Sequence, residues 1–110
     1  VRVEYNSEKI DTGIQFLGCI MGDYVKTAIN TSIYTGKIIG VYAQLFGCVT
    51  ENIGSFVMDA REGKKVFELE AAIRTQQRCF ERRGITQTQA DKELLEKVFE
   101  QTKSEREGLE

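Results

Sequence analysis

The chain has 110 residues, 41% hydrophobic and 29% charged, with a net charge of −2. That length supports one modest core and not two, and the near-neutral acidic balance excludes bulk attraction to nucleic acid or anionic membrane. No apolar run approaches the roughly 20 residues that span a bilayer, and the first residues do not read as a signal peptide; a cytoplasmic protein without nucleic-acid or membrane partners is expected.

The opening "VRVEYNSEKIDTG" alternates Val1 and Val3 with Arg2 and Glu4, a short strand signal. Asn6-Ser7 supplies a turn, and Ile10 to Gly13 leads out of it. From Phe16 to about Val49 the chain is strand-like and punctuated by glycine. Glu51 to Lys65 reads as a connector containing Gly54 and Gly63. Val66, Leu69, Ile73 and Phe80 then recur at helical spacing, which predicts a helix near Val66–Arg83 ended by Gly84. A second helix is predicted near Thr88–Thr102, opened by a capping box of Thr86 and Gln89 and striped with Leu94, Leu95, Val98 and Phe99. Lys103 onward is charged and is expected to fray. The start at Val1 and the final Leu109-Glu110 read as a piece cut from a longer protein, with those last two residues given no structural weight.

The segment "GDYVKTAINTSIYTGKIIGVYAQLFG", Gly22 to Gly47, fits neither helical nor plain strand periodicity. In steps of six, Met21, Thr27, Ile33, Ile39 and Leu45 form a mostly apolar column. Val25, Thr31, Lys37, Ala43 and Val49 form a second, small or β-branched except at Lys37. A six-residue period is the signature of a hexapeptide solenoid, in which three hexads close one coil and residues eighteen apart stack. The expected fold class is therefore mainly β: a left-handed parallel β-helix of about two coils followed by two C-terminal α-helices. Met21, Ile33, Ile39 and Leu45 are expected inside, and Tyr34, Tyr42 and Phe46 outside. The expected division is β-helix over 1–50, connector over 51–65 and helical pair over 66–108.

The wording of "FLGCIMGDYVKTAINTSIYTGKIIGVYAQLFG", with "KIDTG" before it and Ser55-Phe56 after it, resembles one family. It is similar to the C-terminal β-helix of bifunctional sugar-1-phosphate nucleotidylyltransferase/acetyltransferases such as N-acetylglucosamine-1-phosphate uridylyltransferase. The chain departs from that pattern at Phe16, Tyr24, Ala28 and Gln44, where members often carry Lys, His, Gly and Asn. The resemblance implies acetyl transfer from acetyl-CoA to the amine of an amino-sugar 1-phosphate, in a homotrimer with acetyl-CoA sites between protomers. It also implies a Mg-dependent nucleotidylyltransferase domain upstream. The alternative is a non-catalytic trimerisation scaffold for that domain.

Acyl transfer to an amine needs a general base, aimed donors for the oxyanion and cations for phosphates. The chain contains no histidine, the base of related acetyltransferases. Either the base lies before Val1, or the protein uses a carboxylate or has lost the activity; no catalytic residue is assigned. Lys26, Asn30 and Lys37 are the candidates for acetyl-CoA contact and Asp23 for the sugar phosphate, each at or beside a turn, where an ordinary solvated role is equally consistent. Cys19, Cys48 and Cys79 are odd in number, widely spaced and without a CxxC pair, which reads as free thiols and no metal site.

Overall fold

A computed structural model describes residues Val1–Leu109. Strands β1 (Arg2–Tyr5) and β2 (Glu8–Asp11) pair antiparallel, with Val3 opposite Ile10. The two residues between them, Asn6 and Ser7, both take positive φ (49° and 63°). A two-residue hairpin turn needs that conformation to match the right-handed strand twist.

Six two-residue strands follow: β3 (Ile20–Met21), β4 (Lys26–Thr27), β5 (Ser32–Ile33), β6 (Ile38–Ile39), β7 (Gln44–Leu45) and β8 (Cys48–Val49). They pair in parallel as β3 with β6, β4 with β7 and β5 with β8. Met21 stands opposite Ile39 and Thr27 opposite Leu45, an offset of eighteen residues.

The expected left-handed β-helix is nonetheless not what the chain forms. The offset does not hold: Ile33 pairs with Val49, sixteen residues on, and Ile39 bridges Ile53 and Gln44 pairs Met58, both fourteen residues on. A solenoid requires a constant repeat. Here the chain tightens after Phe46 through Gly47 (φ 75°), and the strands fall into four small sheets with no closed or solenoid sheet.

The predicted connector is itself structured. Strands β9 (Val57–Ala60) and β10 (Gly63–Val66) form an antiparallel hairpin, and β9 joins β7 to give a sheet ordered β10-β9-β7-β4. Helices α1 (Leu69–Glu81) and α2 (Gln89–Gln101) follow, then a 3₁₀ turn over Lys103–Arg106. The architecture is thus a small mixed α and β fold and not a mainly β one.

Helix α2 starts two residues later than the Thr86 box implies. Thr88 is the N-cap; its hydroxyl accepts from the Asp91 N–H, and the Asp91 carboxylate accepts from the Thr88 N–H at 2.8 Å. An acidic partner at the third helical position also complements the positive end of the helix dipole.

Two apolar clusters make the core. Ile39, Ala43, Leu45, Val49, Ile53 and Val57 pack inside the strand region, joined by half-buried Val25, Ile33 and Leu109. Tyr42, Phe56, Ala72 and Leu95 tie the strands to both helices. Three expectations change here. Met21 is 45% exposed, because β3 has a neighbour on one side only. Tyr42 is fully buried, stacked between Tyr24 and Phe56. Leu109 packs on the core, whereas Glu110 lies outside the described residues. Nor is the segment after Lys103 frayed: the Arg106 side chain is buried against the end of α2.

Candidate functional site

The four residues singled out from sequence do not converge. Asp23 is exposed between β3 and β4, where its carbonyl accepts the Tyr42 N–H at 2.9 Å. Lys26 is exposed in β4, opposite Gln44. Asn30 sits exposed in the left-handed conformation (φ 61°), which Asn tolerates better than most residues. Lys37 is half-buried just before β6 and alone of the four borders a depression, of about 390 Å³, with Glu4, Thr50, Glu51 and Asn52. Glu51 is already engaged there: its hydrogen bond and ion pair with Lys64 hold its carboxyl below the usual range.

A larger groove, about 690 Å³, adjoins this depression. Ile20, Met21 and Ile38 of the β3–β6 pair form its apolar floor. The turn of the first hairpin walls one part of it, and Gln101, Ser104 and Glu105 line another. Glu4 and Asn52 line both cavities, so the Lys37 depression opens into the groove.

Local hydrogen bonding fixes these walls. The Asn52 amide accepts from the Ile38 N–H at 2.9 Å and donates to the Glu4 carbonyl at 2.6 Å, pinning the hairpin to β6. Ser55 is buried, and its N–H and hydroxyl both donate to Glu105 Oε1, at 2.9 and 3.1 Å. The Ser55 hydroxyl also accepts from the Val41 N–H at 3.0 Å. A serine committed on both sides and shielded from solvent is a positioning group and no nucleophile.

Glycine is required where Ser55 crosses the strand. A Cβ at Gly40 would stand 2.4 Å from both the N and Oγ of Ser55. Behind Ser55, Arg106 donates to the Ser55, Thr102 and Phe99 carbonyls and lies over the Phe99 ring at 4.0 Å. The 3₁₀ turn that carries Glu105 is thereby held against the strands.

The groove's electrostatics are one-sided. Two carboxylates, Glu4 and Glu105, line it, and no Lys or Arg does. Glu105 Oε1 is occupied by Ser55. The arrangement can therefore hold a small body with an apolar face and present it a fixed carboxylate. Among the described residues, no group of three or more His, Cys, Asp or Glu side chains could hold a metal ion. The three cysteines are free, Cys19 and Cys48 exposed and Cys79 half-buried. No described helix is long and apolar enough to cross a membrane.

Sequence reasoning missed Asn52, Ser55 and Glu105. Glu105 lay in a charged run with the pattern of a fraying end, and nothing local marks its pairing with a serine fifty residues away. No protein-family model, curated protein or solved structure matches this chain.

Proposed function

We propose that this chain is the acyltransferase portion of a sugar-nucleotide biosynthesis enzyme. It acts on acetyl-CoA and an amino-sugar 1-phosphate, as a homotrimer in the cytoplasm, alongside an upstream nucleotidylyltransferase domain that uses Mg. The observation that carries this reading is the groove over β3 and β6, continuous with a depression bordered by a lysine. Such a shape suits an extended ligand with an apolar stretch and an anionic end: the apolar floor takes the stretch, and Lys37 takes a phosphate. The motif wording from Phe16 to Gly47 supports the same chemistry.

In that chemistry the neutral amine attacks the thioester carbonyl, and a base removes the proton that the nitrogen carries into the adduct. With no histidine in the chain, this base comes from a segment outside these 110 residues. The chain's own part is binding and positioning. Asp23, Lys26 and Asn30 stand outside the groove, so of the four sequence candidates Lys37 has the best claim to ligand contact.

The second reading, an assembly module without chemistry, is favoured by the exposed Phe16, Ile29 and Tyr34, apolar side chains that a neighbouring protomer would cover. An NMR titration with acetyl-CoA separates the two. The acyltransferase reading expects saturable shifts at Lys37, Ile38 and Asn52, weakened several-fold by Lys37→Glu. A trimer by light scattering with no such shifts supports the assembly module instead.

A further inference from the structure

We infer that the groove over β3 and β6 seats the free amine of the acceptor, and that Glu105 distinguishes that ammonium from its acetylated product. The inference rests on the acyltransferase reading for the identity of the amine, but the recognition chemistry stands on the groove itself.

Three observations lead to it. The charge complementarity is clear: Glu4 and Glu105 line the groove, and no cationic side chain does. A ligand seated there meets an apolar floor of Ile20, Met21 and Ile38, so the fitting occupant is a small cation on a partly apolar body. Glu105 is also aimed. Ser55, itself 4% exposed, holds Oε1 with two hydrogen bonds, which fixes the carboxylate and leaves Oε2 outside that pair. A charge-assisted bond to an ammonium is stronger than a neutral one, and less is lost when the acceptor is already held in place. Thirdly, the neighbouring Lys37 depression offers the opposite charge, and the two cavities share Glu4 and Asn52. An amino-sugar 1-phosphate carries both an ammonium and a phosphate. Its acetylated product keeps the phosphate and loses the cation, so only the amine end distinguishes the two.

The substitution Glu105→Gln keeps an oxygen for Ser55 to donate to and removes the charge. The experiment is an NMR titration of the 110-residue chain, at a pH where the amine is protonated. The probes are glucosamine 1-phosphate, N-acetylglucosamine 1-phosphate and propylammonium chloride. The expected result is that the amine form binds about three- to tenfold more tightly than the acetylated form, with shifts at Ile20, Met21 and Ser55. In Glu105→Gln the ratio falls to about one, while Glu62→Gln, in the β9–β10 turn, leaves it unchanged. Equal binding of the two sugar phosphates by the wild-type chain would overturn the inference while leaving the acyltransferase reading in place. So would a preference that survives Glu105→Gln. Propylammonium shifts at Ile20, Met21 and Ser55 without binding of either sugar phosphate would keep the amine site and remove the sugar reading. Should Glu105→Gln fail to fold, the wild-type ratio and the position of the shifts decide alone.

Discussion

Tyr24 and Tyr42, eighteen residues apart, stack with ring centroids 4.8 Å apart and planes within 10° of parallel. Both have positive φ, 63° and 58°, as does Phe56 at 55°, whose ring lies 5.6 Å from that of Tyr42. The left-handed conformation costs a non-glycine residue roughly 1–2 kcal/mol. An aromatic pair returns about 0.5–1.5 kcal/mol beyond its burial. The turns of the strand region are thus held by ring stacking where glycine or asparagine is the commoner choice, and the same rings anchor α1 and α2.

Burial of Tyr42 leaves its hydroxyl without a hydrogen-bond partner among the described residues. An unsatisfied buried hydroxyl costs about 1–3 kcal/mol. Tyr42→Phe keeps the stack and removes that cost, so the melting temperature should rise by about 4 °C per kcal/mol gained. Thermal unfolding by circular dichroism is the check. A fall in melting temperature would mean that the hydroxyl has a partner.

The same residue sets an alkaline limit. Burial pushes the Tyr42 phenol well above its ordinary value, aided by the nearby Tyr24 and Cys79. In the unfolded chain it ionises near pH 10. Above that pH the unfolded state loses a proton that the folded state keeps, so stability falls as pH rises, by up to about 1.4 kcal/mol per pH unit. Below pH 10 this contribution is fully present. Denaturant unfolding between pH 9 and 11 should show a smaller slope in Tyr42→Phe than in wild type.

Two glycines should respond oppositely to alanine. At Gly40 the added methyl meets the Ser55 backbone, and overpacking of this kind costs about 1–3 kcal/mol. At Gly18 nothing lies within 4 Å of the new Cβ, so the change should stay within about 0.5 kcal/mol. Urea midpoints for the pair test whether the Gly40–Ser55 crossing is as tight as described.

Part of this organisation is legible in the sequence. Asn6-Ser7 marks its hairpin, Gly84 ends α1, and the apolar spacing around Leu95 and Phe99 places α2. The six-residue columns correctly bring Met21 opposite Ile39. They mislead because periodicity records which side chains recur, and not whether the chain keeps its pitch. Gly47 shortens the path after Phe46, and from there the pairing offset falls from eighteen to sixteen. Exposure of Met21 is equally invisible, since it depends on β3 lacking a second neighbour. The β9–β10 hairpin hides because Lys64 and Lys65 face solvent and break the strand pattern. Within the candidate site, Lys37 was readable as a cation beside a turn. Glu105 was not, because its role comes from the tertiary contact with Ser55.

Arg106 should be the most sensitive position near the C-terminus. Its guanidinium donates to the carbonyls of Phe99, Thr102 and Ser55 and lies over the Phe99 ring. Arg106→Ala removes these bonds from the end of α2 and should cost about 2–4 kcal/mol. Lysine cannot reproduce a planar fork over an aromatic ring, so Arg106→Lys should recover less than half. Equilibrium unfolding of both variants checks this. By contrast, Thr88→Ala should cost only the ordinary N-cap value of about 1 kcal/mol.

The central claim is that this chain binds and positions substrates for acetyl transfer and takes its base from elsewhere in its polypeptide. The most direct test is a thiol-release assay with acetyl-CoA and glucosamine 1-phosphate, run on the 110-residue chain and on the complete gene product. Absence of a general base typically lowers the rate by about 10²- to 10⁴-fold. The account predicts acceptor-dependent thiol release by the complete protein, reduced by Lys37→Glu, and negligible release by the isolated chain. No release by the complete protein with any amino-sugar phosphate would contradict it.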